Sequence, residues 1–169
     1  MEIREIFTDQ IMELFKEDLR KNGEAVNAFC DALKNGDASQ AETRFGEYLR
    51  RTISIRDTFV KKKLKENFYH GILLGLLGSQ DTWGISSNKE SGDGYSDILV
   101  EIDREGTGIV IEMKYAEDGN LEAACKEALE QINTKRYEEE LREEGIDHIL
   151  KYGIACYKKR CRVILEKDR

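Results

Sequence analysis

The 169 residues include no proline, one tryptophan, two histidines and four cysteines. Cys30, Cys125, Cys156 and Cys161 form no CxxC pair, so a structural zinc site is not expected; the four read as buried free thiols. The longest apolar run, Gly71-Ile72-Leu73-Leu74-Gly75-Leu76-Leu77-Gly78, is far short of the roughly 20 residues that span a bilayer. No membrane partner is therefore expected. Met1-Glu2-Ile3-Arg4-Glu5 has no basic segment leading into an apolar one, so no signal peptide is expected and the expected location is cytoplasmic. The glycines at 92 and 94 are not followed by GxxxxGK[ST], which excludes a P-loop ATP site in this chain. There is no internal repeat and no low-complexity linker.

With 40% apolar and 36% charged residues, the chain has the composition of a globular domain rather than a disordered one. The net charge of −7 argues against a generic nucleic-acid coat, but the charge is unevenly spread. Arg50, Arg51, Arg56, Lys61, Lys62, Lys63 and Lys65 face only Asp57 within 50–65, a balance of +6, and residues 151–169 carry +5. Residues 117–145 carry −6. Two basic blocks on an acidic chain mark either a polyanion-facing side or solvated helix faces.

Residues 1–54 read as a small helical subdomain. Ile3, Ile6, Phe7, Ile11, Leu14, Phe15 and Leu19 recur at helical steps. Glu24 to Leu33 gives a second helix stopped by Asn35-Gly36, and Ser39 is placed to cap a third through Ala41, Phe45, Tyr48 and Leu49. Residues 55–169 read as a second unit. A helix through Phe59, Leu64, Phe68, Ile72 and Leu76 is followed by a weak strand at 82–88, where Trp83 reads as a core anchor. Ser91-Gly92-Asp93-Gly94 is turn composition. Strong strand patterns run from Tyr95 to Ile102 and from Thr107 to Tyr115, split by Asp103-Arg104-Glu105-Gly106. Asn120 caps a single long helix that ends at Gly145, and two strands follow around Lys158-Lys159-Arg160. A strand, a helix and a strand imply a right-handed parallel crossover, so the second unit is α/β with a mixed sheet.

The chemistry centres on Ile109-Val110-Ile111-Glu112-Met113-Lys114. Three successive β-branched apolar residues predict a strand buried on both faces. Glu112 and Lys114, two apart, project from one face of it. An acid and an amine there are costly unless each has a partner or a metal; a salt-bridged strand end is the bland alternative. Asp97 opens the preceding strand. If the two strands pair about the 103–106 turn, Asp97 approaches Glu112. Two carboxylates and the Met113 carbonyl would make an oxygen-only site that suits Mg²⁺ or Mn²⁺. Lys114 beside it can orient a water and neutralise charge at a phosphate.

Asp97 followed one hairpin later by Glu112-Met113-Lys114 resembles the PD-(D/E)XK nuclease superfamily, with Ser96 where the proline of that name would stand. The closer likeness is to the nuclease domain at the carboxyl end of bacterial AAA-ATPase-like proteins. It runs through Glu66-Asn67-Phe68-Tyr69-His70, Ser91 to Asp97, Ile111 to Lys114, and Ala128-Leu129-Glu130-Gln131-Ile132 with Lys135-Arg136-Tyr137, over roughly residues 55–166. The resemblance implies a restriction-endonuclease-like core (αβββαβ) and metal-dependent phosphodiester cleavage. It implies that Glu66 completes the metal site directly or through water; the alternative is a surface glutamate. His70, one turn on, orients Glu66, contacts substrate or simply packs. Gln131 stands where related nucleases carry a residue near the active centre. The expected substrate is a nucleic acid, with DNA first, and the expected partner an AAA-type ATPase domain elsewhere. One active site per chain would favour a homodimer for double-strand cleavage. The alternative from another class is a non-catalytic nucleic-acid or protein-interaction module that keeps the fold.

Overall fold

The structure is a computed structural model that describes residues 23–52, 62–89, 95–135 and 137–167. The expected helix over 3–19, the middle of the 50–65 basic block and the 91–94 turn lie outside the described residues.

Five strands form one sheet in sequence order: β1 (Gly84–Lys89), β2 (Tyr95–Ile102), β3 (Thr107–Tyr115), β4 (His148–Tyr157) and β5 (Arg160–Lys167). Only β3 and β4 run parallel; the other neighbours are antiparallel. The parallel step is the crossover expected from the strand–helix–strand order. Residues 23–34 form α1, followed by α2 (Ala38–Thr52) and α3 (Lys62–Leu77). The crossover carries α4 (Leu121–Lys135) and α5 (Tyr137–Glu143).

Helices cover both faces of the sheet, which is why β3 is apolar without alternation. Ile98, Val100, Ile109, Ile111 and Met113 join one cluster with residues of α1, α2 and α3. Leu99 and Val110 face the other way, onto Leu129 and Ile132 of α4 and Leu141 of α5. The early helices are part of the sheet's own core. Phe29 and Phe45 stack at 5.5 Å, and Tyr152 of β4 donates its hydroxyl to the Leu33 carbonyl at 2.6 Å. Glu42 of α2 accepts the Val163 N–H at 3.0 Å and so occupies part of the β5 edge.

One local expectation changes. The residue that caps α2 is Asp37, not Ser39: its Oδ1 accepts the Gln40 N–H at 3.1 Å. Gly36, at φ +74, closes α1 with the left-handed turn that only glycine adopts cheaply, and Asp37 is then the first residue free to open the next helix. The helix expected from 120 to 145 is described as α4 and α5, on either side of residue 136, which is outside the described residues. The second segment gains its own burial: Leu141 packs over Gly108 of β3, where a Cβ would meet its methyl at 3.1 Å. Asn120 caps α4 as expected, accepting the Ala123 N–H at 3.1 Å.

Gly153 sets how closely α4 approaches. A Cβ on this residue would collide with the Cys125 carbonyl oxygen and reach Leu129 at 3.0 Å. Helix backbone lies flush on β4 there, and backbone cannot yield as a side chain can. Gly153→Ala should therefore lower stability by about 1–3 kcal/mol, the usual scale of overpacking. Thermal denaturation checks this; a wild-type melting temperature would mean that α4 has room to spare.

The four cysteines are free, with Cys30, Cys125 and Cys156 buried and Cys161 partly so. Burial pushes the Cys30, Cys125 and Cys161 thiols up to about 12, so they are unreactive packing groups. Among the described residues, no helix is long and apolar enough to cross a membrane.

Candidate active site

The hairpin register puts Asp97 of β2 directly opposite Glu112 of β3, and Gly153 of β4 lies on the other side of Glu112. Side chains of directly paired residues share a face. Both carboxyl groups are thus on the α4 side of the sheet, and both are buried: Asp97 is 0% exposed and Glu112 2%. Lys114, two residues on, shares that face. Its Nζ lies 3.8 Å from Glu112 Oε1, with 18% of its side chain exposed. The acid is held in the sheet, and the amine reaches from it toward solvent.

Two acids facing each other out of water repel and lack hydration. Burial pushes the Glu112 carboxyl far above the ordinary carboxylate range, and the facing Asp97 carboxyl adds to the rise; Lys114 and Lys135 oppose it. Glu112 Oε2 is buried with no hydrogen-bond partner among the described residues. Such a pair is comfortable only with a proton or a cation between its members.

A divalent cation fits this chemistry. The donors are carboxylate oxygens, which suit Mg²⁺ or Mn²⁺ rather than zinc. The pair alone does not complete a cage: among the described residues, no three His, Cys, Asp or Glu side chains converge closely enough to ring an ion. Glu66 comes from α3 to the end of the same strand, where its Oε1 accepts the Tyr115 N–H at 3.4 Å. The side chain of Met113 points to the opposite face and is buried in the main core, leaving only its carbonyl as a donor.

His70 follows Glu66 by one helical turn. It is 2% exposed, and its Nε2 lies 2.7 Å from Ser87 Oγ of β1. Burial lowers its pKa to about 4, against the opposing pull of the Asp97 charge. The imidazole is therefore neutral at physiological pH and sits within electrostatic reach of Asp97. Gln131 of α4 is on the helix that covers the Asp97–Glu112 face, and its Oε1 is buried without a hydrogen-bond partner among the described residues.

Two neighbours had no role assigned from sequence. Lys135 acts on Glu112 from α4, one turn beyond Gln131. Ser87 holds His70. Lys135 could have been found from its i,i+4 spacing to Gln131. Ser87 gave no signal beyond the polar end of a weak strand.

The family model of the PD-(D/E)XK nuclease superfamily matches residues 64–166, more than half of the chain. No curated protein matches the chain. The matched stretch contains the hairpin with its facing acids, the lysine two residues on, the acid-bearing helix and the covering helix, in a five-stranded mixed sheet of restriction-endonuclease type. This chain belongs to the PD-(D/E)XK nuclease superfamily.

Proposed function

We propose that the protein is a metal-dependent nuclease that hydrolyses phosphodiester bonds, and that Asp97, Glu112 and Lys114 are its working centre. The observation that carries this is the buried Asp97–Glu112 pair in register with a partly exposed lysine 3.8 Å from one of its oxygens. A salt-bridged strand end would need one acid and one base. A second buried acid facing the first costs stability and has a use only if something positive is held there.

Asp97 and Glu112 would hold Mg²⁺ or Mn²⁺, with the Met113 carbonyl and Glu66 as further ligands, Glu66 directly or through water. When bound, the cation polarises the scissile phosphate and lowers the pKa of a water. Lys114 supplies a point charge that orients the nucleophilic water and neutralises charge building on the phosphate oxygens. Gln131 brings a buried amide to the same face, and Lys135 adds a second positive charge. His70, neutral and fixed by Ser87, positions the α3 end of the site rather than moving a proton.

The substrate would be a nucleic acid, with DNA taken first, and the closer resemblance supports reading the domain as the carboxyl-terminal part of a cytoplasmic AAA-ATPase-like protein. A homodimer would place two centres on two strands. The reading is tested by incubating the protein with single- and double-stranded DNA and RNA in Mg²⁺, Mn²⁺ or EDTA. Cleavage of at least one substrate, abolished by EDTA, is expected. Equal yields with and without EDTA would refute metal dependence, and no cleavage of any substrate would refute the nuclease reading.

A further inference from the structure

Lys65 from the first basic block and Lys158 and Arg160 from the second meet at one end of the sheet, around a row of tyrosines. The rings of Tyr69 (α3), Tyr115 (β3) and Tyr157 (β4) succeed one another at centroid distances of 5.7 and 6.0 Å. Cations sit along this row. Lys65 Nζ lies 4.7 Å from the centre of the Tyr115 ring. Lys158 Nζ and the Arg160 guanidinium lie 5.2 and 5.5 Å from that of Tyr157. Tyr115 lies on the face of β3 opposite Lys114, but its N–H donates to Glu66, the residue after Lys65, so the row borders the Glu66 end of the candidate active centre.

Two further features mark this end. Tyr69 donates its hydroxyl to the Lys158 carbonyl at 2.6 Å, tying the β4–β5 hairpin to α3. Lys158 has φ +53, the only positive φ at a non-glycine residue among the described residues. Asparagine or glycine adopts that turn conformation more cheaply than lysine does. A local rule broken at an exposed turn, where a lysine head results, points to a use for that head.

We propose that Lys65, Lys158 and Arg160 form a phosphate-binding track that leads a nucleic-acid strand to the Glu66 end of the candidate active centre. The proposal rests on the nuclease reading and adds to it where the substrate lies. Three cations anchored on aromatic faces have less side-chain freedom to lose when a ligand arrives. Three cations grouped around one row of rings suit a polyanion with repeated phosphates better than a single small anion. The track has an acidic border. Glu117 and Asp118 are exposed in the turn after β3, whose Gly119 (φ +77) lies against Tyr157 and Arg160. Asp118 is engaged in that turn, accepting the Asn120 N–H at 3.0 Å. A phosphate backbone would be kept off that flank and on the lysine side.

The test is fluorescence anisotropy with labelled DNA and RNA oligonucleotides, single- and double-stranded, in EDTA so that nothing is cut, across a range of salt. The variants are Lys158→Asn, Arg160→Gln and, as a control distant from the track, Lys126→Gln on α4. Lys158→Asn and Arg160→Gln should each weaken binding about 5- to 10-fold. Each should also reduce the salt slope by about 0.7–0.9, the value of one lost phosphate contact. Lys158→Asn should melt no lower than wild type, because asparagine suits the turn; this separates lost binding from lost folding. Lys126→Gln should bind like wild type. Wild-type affinity and slope in both track variants would overturn the inference while leaving the nuclease reading standing. If the unmodified protein neither binds nor cleaves any oligonucleotide, both fall.

Discussion

Asp97→Asn should make the metal-free protein more stable and the enzyme inactive. The substitution removes one of two acids that face each other at zero and 2% exposure. It keeps the shape of the side chain and gives the site an amide N–H₂ that can donate to Glu112. Relief of a buried like-charge pair is worth about 1–2 kcal/mol on the scale set by pKa shifts of one unit or so. For a chain of this size that corresponds to a melting temperature higher by roughly 2–8 °C. Cleavage should fall by at least about 10²-fold, since the loss removes a proposed metal ligand and not merely an orienting group. The stabilisation that Mn²⁺ gives the wild type should disappear as well. Differential scanning fluorimetry with and without Mn²⁺, beside a cleavage assay, reads all three. A strongly destabilised Asp97→Asn would mean that the acid is there to hold the fold.

Lys114→Met should lower activity while leaving stability nearly unchanged. Methionine fills the volume of the lysine stem and removes only the charge. The lost partner is an ion pair at 3.8 Å with a partly exposed lysine, so the change in stability should be under about 1 kcal/mol. Cleavage should nevertheless drop by about 10²-fold or more, the usual size of a lost charge-stabilising group. Lys114→Arg should also be poor, because a planar fork does not occupy the position of a point charge. Metal binding should survive both changes, as the amine is not a ligand. Full activity in Lys114→Met would reduce the Glu112–Lys114 pair to a structural contact.

The parts of the site that were legible in the sequence are those fixed by local geometry. A tight turn at 103–106 and two strands of known alternation set the register, and the register alone brings Asp97 opposite Glu112. The same alternation puts Lys114 beside Glu112 and sends the Met113 side chain away. Parts fixed by tertiary packing were not legible. Gly153 looks like any strand glycine until the helix backbone that would strike its Cβ is in place. Ser87 sits on an edge strand of weak pattern, and only the approach of α3 gives it His70. Lys151 of β4 is buried between Asn133 of α4 and Glu138 of α5, each at 3.0 Å, a pairing that only the packed crossover creates. The α2 cap failed for a subtler reason. Asp37 and Ser39 are both good caps, and the choice depends on which residue Gly36 leaves free.

The central claim is that Asp97 and Glu112 together hold a divalent cation. Isothermal titration calorimetry of Mn²⁺ into the metal-free protein tests it without requiring a substrate. The account predicts saturable binding by the wild type, at least tenfold weaker binding by Asp97→Ala and by Glu112→Ala, and near wild-type binding by Lys114→Met. Mn²⁺ binding that is unchanged in both carboxylate variants would contradict it.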